Sequence, residues 1–175
     1  RRARAAAQAH AFMDIRPALR NRAAMAFTIG YAVHCFELFG SRSWFVAFLD
    51  AARGPSSWPV SPAAIHASGN FVAAFASVIG NEVALRIGRP RWIRAAMLAS
   101  AIVSCTIGFA FGASWYVLAT LCIVHMMLVM ADSASLTAGL VAHTDRAYRG
   151  TAMAVYSTLG FGAGFVAPLV LGAAI

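Results

Sequence analysis

The chain has 175 residues, of which 61% are hydrophobic and only 11% charged, and its mean hydropathy is +0.71. Such apolar composition lies outside the range of ordinary soluble domains. The formal net charge of +8 comes from arginines scattered between apolar segments, a distribution typical of membrane anchoring and not of a nucleic-acid surface. We therefore expect a membrane protein with no nucleic-acid partner.

The apolar residues form five blocks, each long enough to cross a bilayer as a helix. A helix needs about 20 apolar residues to span a hydrocarbon core about 30 Å thick. The predicted spans are 23–49, 62–85, 92–111, 115–136 and 151–174. The predicted fold class is thus an all-α membrane protein, with a cytoplasmic linker at 1–22 and a transmembrane helical bundle at 23–175.

Arginines mark alternate connections between these spans. They precede the first span, and they recur between the second and third and between the fourth and fifth: Arg1, Arg2, Arg4, Arg16, Arg20, Arg22; Arg86, Arg89, Arg91, Arg94; Arg146 and Arg149. The opposite side carries only Arg53. The positive-inside rule then predicts a multi-pass protein with a cytoplasmic N-terminus, and we expect it in a bacterial inner (plasma) membrane. The odd number of spans and the missing initiator methionine favour a fragment of a longer chain.

The first span carries ionisable residues near its middle. At about 100° per residue, His34, Glu37 and Ser41 share one helix face, whereas Arg42 lies well round from Glu37. Charges at this depth must face protein or a water-filled cavity. One interpretation is a solute or coupling-ion site, with Glu37 as a proton carrier and Arg42 as an anion-binding group. The other is a buried structural ion pair between Glu37 and Arg42, brought together by a distortion at Gly40.

The second span has a polar stripe at helical spacing, formed by His66, Asn70, Ala73 and Ser77. This stripe predicts either an aqueous path, with Asn70 as a solute or coupling contact, or hydrogen bonds to a neighbouring helix. Both interpretations stay open at this point.

Small residues recur every fourth position in the third span: Ala96, Ser100, Ser104, Gly108 and Gly112. In the fifth span Gly160 and Gly164 repeat the pattern, and Pro168 should kink the helix. Such spacing favours close helix packing over ligand contact.

The fourth span places His125 and Asp132 on one face. Asp132 is a further substrate or coupling candidate, although it lies towards the cytoplasmic end, where a charge costs less. The three cysteines lie inside spans without paired spacing, so we expect neither a disulfide nor a metal site. No nucleophile elbow, zinc-binding helix or phosphate loop is visible, which predicts that the protein is not an enzyme and needs no cofactor.

The loop after the second span, GNEVALRIGRPR at 80–91, resembles the cytoplasmic loop motif of the major facilitator superfamily. Arg86, Gly88 and Arg89 match that motif in spacing. Leu85 stands at its usual acidic position, and the second basic residue, Arg91, comes one position late. Glu82 could replace the missing acid as the partner of Arg86 at i,i+4.

Other stretches extend the resemblance over nearly the whole chain. Residues 131–133, 149–152 and 159–164 with Pro168 resemble the tenth and eleventh helices of these transporters. Residues 34–49 are similar to a seventh helix in a bacterial subgroup often grouped with nitrate and cyanate permeases.

The resemblance implies helices seven to eleven of a twelve-helix transporter that works by alternating access. Its partners would be the lipid bilayer, a small-molecule or ion substrate and the N-terminal half of the transporter. We expect transport of a small solute with proton coupling, a small anion being the weaker suggestion, and the loop at 82–91 latching one conformational state. The alternative is a membrane-embedded accessory subunit that binds a partner through its small-residue helix faces.

Overall fold

The computed structural model describes residues 15–54 and 57–173, and the chain is helical throughout this part, without a strand. The helices are α1 (Arg16–Arg20), α2 (Arg22–Arg53), α3 (Pro62–Ile87), α4 (Arg89–Phe109), α5 (Trp115–Met130), α6 (Ser133–Ala142) and α7 (Arg149–Gly172), with a 3-10 turn at Arg146–Tyr148. The short helix α1 belongs to the predicted linker 1–22, of which residues 1–14 lie outside the described residues.

Five helical segments of the described residues are long and apolar enough to cross a membrane. They match the five predicted spans in order, which confirms an all-helical chain with five helices of membrane-spanning length and apolarity. Capping residues set several of their ends. The Asn21 side chain accepts a hydrogen bond from the Ala24 N–H at 3.1 Å, and Ser61 caps α3 in the same way just before Pro62.

The fourth span differs from its prediction. It breaks after Met130, resumes at Ser133 as α6 and continues to Ala142, six residues beyond the predicted end. At the break the Ala131 N–H donates to the Leu128 carbonyl at 3.2 Å, which is the tighter three-residue turn and not the α-helical one. Because the span runs on to Ala142, Asp132 lies well inside it and not close to its end.

The bundle contains two pairs of parallel helices, α2 with α7 and α3 with α5, which make its most extensive contacts. Glycines allow the close approach of α2 and α7: Gly160 lies under the Tyr31 ring and Gly164 under the Phe39 ring. This agrees with the packing role predicted for both glycines. Helix α7 continues through Pro168 to Gly172, and the predicted kink at Pro168 stays a prediction.

The ridge predicted in the third span packs along only part of its length. Ala96 and Ser100 are buried, whereas Ser104 and Gly108 are exposed. A Cβ added at Gly108 would meet no described atom within 4 Å. The predicted packing contact of Gly108 is therefore absent from the described part of the chain, because Ile107, and not Gly108, faces the neighbouring helices at this end of α4.

Candidate functional site

The break in the fourth span brings Asp132 against His34 of α2. Asp132 Oδ1 lies 2.9 Å from His34 Nδ1, and each side chain is only 2% exposed. The contact has the distance of an ion pair but not the alignment of a hydrogen bond, since Asp132 Oδ1 has no hydrogen-bond partner. Asp132 directly precedes α6, and its side chain makes no hydrogen bond to the first turn of that helix. A buried acid–histidine pair thus lies at an interruption of a membrane-spanning helix.

Two residues from neighbouring helices hold this break in place. The Trp92 indole N–H donates a hydrogen bond to the Ala131 carbonyl at 2.9 Å. Gly80 packs directly on the same carbonyl, and any Cβ at position 80 would overlap its oxygen. Sequence analysis did not predict this contact, although Gly80 begins the loop motif and Trp92 begins the third predicted span. Their shared contact depends on tertiary packing, which no local pattern indicates.

Glu37 extends the pair towards α4. The Ser100 hydroxyl lies 3.2 Å from Glu37 Oε2 and 2.9 Å from the Met97 carbonyl, so its single hydrogen can serve either acceptor. Glu37 also interacts electrostatically with His34 and Asp132. The hypothesis of a structural Glu37–Arg42 ion pair is wrong for this structure, because α2 stays helical through Gly40 and the two side chains face different neighbours.

A cavity of about 800 Å³ opens beside Glu37. Its wall is mainly aromatic and aliphatic, and the titratable side chains that line it are Glu37 and His125. His125 is otherwise buried, stacks on Phe45 at 6.1 Å and has no hydrogen bond at Nδ1. Glu37 therefore lies between the cavity and the buried His34–Asp132 pair.

Aromatic hydroxyl groups continue the polar cluster on the side away from the cavity. The Tyr31 ring stacks on His34 at 5.8 Å and on Tyr156 at 3.9 Å. The Tyr156 hydroxyl is 2.9 Å from the Thr137 hydroxyl. Sequence analysis missed these three residues, since tyrosine and threonine in an apolar span give no signal apart from their polarity.

Arg42 belongs to a separate polar region between α2 and α3. It interacts electrostatically with His66, and its Nε is buried without a hydrogen bond. Asn70 donates to the His66 carbonyl at 3.0 Å, while its own side-chain oxygen has no partner. Neither Arg42 nor Asn70 lines the cavity. The structure thus divides the predicted substrate and coupling residues into a His34–Glu37–Asp132 cluster and an Arg42–Asn70 region.

The predicted latch loop forms the turn between α3 and α4. Gly88 has φ +93°, which only glycine adopts readily, and it ends α3. Glu82, Arg86 and Arg91 are exposed, and Arg89 is half-buried. The predicted Glu82–Arg86 ion pair is not formed, since the ion pairs among the described residues are His34–Asp132 and Arg53–Asp50.

No metal-binding cluster is assembled in the described residues. They contain no group of three or more histidine, cysteine or acidic side chains placed to hold a metal ion. Comparison of the chain with protein-family models, with curated proteins and with solved structures finds no match.

Proposed function

We propose that this chain is part of a secondary transporter that moves a small solute across a bacterial inner membrane by alternating access. One observation carries the proposal: ionisable residues surround a break in a membrane-spanning helix, next to a cavity. Ionisable groups at this depth are costly and mark ion or substrate pathways. Interrupted helices form the binding and coupling sites of many transporters.

The helix pairing supports a half of the major facilitator fold, with the N-terminus in the cytoplasm. Each six-helix half of that fold contains two three-helix repeats of inverted topology. If α2, α3 and α4 form the first repeat, the second repeat begins with α5–α6 and α7, so α5–α6 is the counterpart of α2 and α7 is the counterpart of α3. Symmetry between the repeats then makes the α2–α7 contact equivalent to the contact between α5–α6 and α3. These two contacts are the most extensive ones of the bundle.

The two polar regions divide the work of transport in this proposal. Glu37, at the cavity wall, exchanges the coupling proton. Arg42, which has no ion-pair partner among the described residues, binds a small anionic solute together with Asn70. The loop at 82–91 latches one conformational state, and the N-terminal half supplies the rest of the solute path.

Flux into proteoliposomes tests the proposal. The complete protein, expressed from its full open reading frame, is reconstituted and assayed with and without a pH gradient. We expect Glu37→Gln to abolish the response of flux to the gradient. Unchanged proton coupling in that variant would remove Glu37 from the mechanism.

The same assay tests Arg42 by solute affinity. Arg42→Ala should raise the half-saturating solute concentration at least tenfold. The matched control is Arg53→Ala, because Arg53 lies at the end of the same helix and pairs with Asp50 at 2.7 Å. Unaltered affinity in the Arg42 variant would exclude it as the solute contact.

The accessory-subunit hypothesis has one observation in its favour. The outer part of α4 presents Ser104 and Gly108 on an exposed, small-residue face, which is the kind of surface that a partner helix can approach closely. Proteoliposome flux separates the two functions, because an accessory subunit alone transports nothing.

A further inference from the structure

Proton exchange at Glu37, as proposed above, assigns no role to the His34–Asp132 pair, although this pair is the most deeply buried ion pair of the described residues. We infer that this pair is a proton-binding switch that controls the helix break between α5 and α6. The inference rests on the proposed function, since it names the group whose protonation is coupled to movement. The argument has three steps: the charge of the cluster, its route to water and its attachment to the backbone.

The charge of the cluster requires protons. Asp132, Glu37 and His34 together carry two negative charges when no proton is bound, and they become neutral when two protons are bound. No arginine of the described residues forms an ion pair with either carboxylate. Uncompensated charge inside a bilayer is strongly unfavourable, so protons must supply the balance that arginine supplies elsewhere.

Further titratable groups face the cluster from the helices around it. Tyr31 and Cys35 lie on the same helix as His34, and Tyr156 of α7 interacts electrostatically with Asp132. From α4 the nearest polar group is the Ser100 hydroxyl, and from α5 His125 faces the cavity beside Glu37. None of these neighbours is a permanent cation, so the protonation of the pair itself sets the local charge.

Protons reach the pair through Glu37. A hydronium ion in the cavity gives its proton to the Glu37 carboxylate and becomes water. The proton then moves to the Asp132 carboxylate or the His34 imidazole. The proton is transferred to a water molecule when the His34–Asp132 pair becomes exposed to the opposite side of the membrane. Glu37 is half-buried at the cavity wall, whereas His34 and Asp132 are each 2% exposed. The residue that first accepts the proton is therefore different from the pair that holds it.

The backbone couples this charge to movement. An ionised Asp132 is attracted to a protonated His34, and Asp132 directly precedes α6. A proton on the Asp132 carboxylate removes this attraction. The preceding residue, Ala131, is the one whose carbonyl binds the Trp92 indole and packs on Gly80. Protonation therefore releases the break, and α6 moves relative to α5.

Trp92 is a natural reporter of this event, because its indole N–H binds the carbonyl next to Asp132 at 2.9 Å. The experiment uses the complete protein with its other tryptophans replaced by phenylalanine (at 44, 58 and 115 of this chain), reconstituted in lipid vesicles. Trp92 emission is recorded against pH without any solute. We expect a sigmoidal shift of the emission maximum that is lost in Asp132→Asn and in His34→Gln and retained in Glu37→Gln.

Circular dichroism of each variant shows whether it has kept its helices, and if Asp132→Asn unfolds, His34→Gln alone decides. A transition that persists in both pair variants, or its absence from the parent protein, overturns the inference. Slower but complete titration in Glu37→Gln supports the proton route. Labelling of Ser41→Cys by a water-soluble thiol reagent supports water in the cavity, and complete protection overturns the route.

The fluorescence titration needs neither solute nor flux, so the two proposals fail separately. A protein that titrates at the pair but transports nothing would contradict the transporter function and leave the switch in place. A protein that transports with proton coupling but shows no pair-dependent titration would contradict the switch alone.

Discussion

Helix α2 contains two ionisable regions that differ in how they are satisfied. In the inner region, His34 pairs with Asp132, and Glu37 lies near the Ser100 hydroxyl. In the outer region, about one and a half turns further along, Arg42 has no ion pair among the described residues and interacts electrostatically with His66. In the inner region the acidic, basic and hydroxyl side chains contact one another, so we call it a closed set. The outer region contains a cation, Arg42, without an anionic partner among the described residues.

This difference assigns different tasks to the two regions. A closed set can store and exchange protons without a ligand, because two acids and one histidine become neutral when they bind two protons. An unpaired guanidinium in a membrane-spanning helix needs an anion from outside the described residues, and a solute satisfies that need reversibly. Stability measurements distinguish the two situations, since only the inner region should contribute to folding.

The largest expected effect is that of Asp132→Asn in the inner region. Removing one charge of a buried pair leaves its partner uncompensated, so we expect the free energy of unfolding to fall by about 4 kcal/mol. Reversible unfolding of the complete protein in mixed micelles measures this value. The control is Asp50→Asn, which breaks an exposed pair, in which Asp50 is 60% exposed, and should leave stability within about 0.5 kcal/mol of the parent. Equal losses of unfolding free energy in both variants would contradict a stabilising role of the buried His34–Asp132 pair.

The next effect concerns the contact that holds the break. Gly80→Ala places a methyl group against the Ala131 carbonyl oxygen, so α3 and α5 must separate, and we expect a loss of about 2 kcal/mol. Gly108→Ala is the matched control, because its methyl group meets no described atom within 4 Å. The control should be neutral or slightly stabilising, since alanine favours a helix by up to about 1 kcal/mol over glycine. If both variants shift the free energy of unfolding in the same direction, the contact between Gly80 and the Ala131 carbonyl does not hold the break in place.

The sequence predicted most of the scaffold because each span depends on local composition. Apolar length predicted five membrane-length helices, and the small residues at Gly160 and Gly164 predicted close helix contacts. These properties belong to single helices, so a pattern along the chain is enough to reveal them. The break after Met130 was not predicted, since no proline or glycine marks it.

The candidate site was predicted as a set of residues but not as a set of contacts. The cost of charge in hydrocarbon identified His34, Glu37, Arg42 and Asp132 as exceptional. The contacts of these residues depend on how each helix is rotated about its own axis and on where the fourth span ends. Neither property follows from the spacing of residues along the sequence. One of the two interpretations of the sequence therefore paired Glu37 with Arg42, whereas in the structure Glu37 lies beside Ser100 and His34 beside Asp132.

The smallest effect on stability, and the sharpest test of the comparison, is that of Arg42→Met. Methionine keeps an apolar stem of similar length but removes the charge. Because the guanidinium makes no hydrogen bond or ion pair with described residues, its removal breaks no described contact, and we expect the free energy of unfolding not to fall. Unfolding is measured in the same micelles with and without acetate or nitrate as probe anions.

The anion dependence of that measurement decides what Arg42 does. A probe anion that binds only the folded protein stabilises it by an amount that grows with its concentration. We expect this increase in the parent and in Asp50→Asn, and no increase in Arg42→Met. A loss of about 2 kcal/mol or more in Arg42→Met without any anion would mean that another part of the protein already neutralises Arg42. The outer region would then be as closed as the inner one, and the solute would have to bind elsewhere.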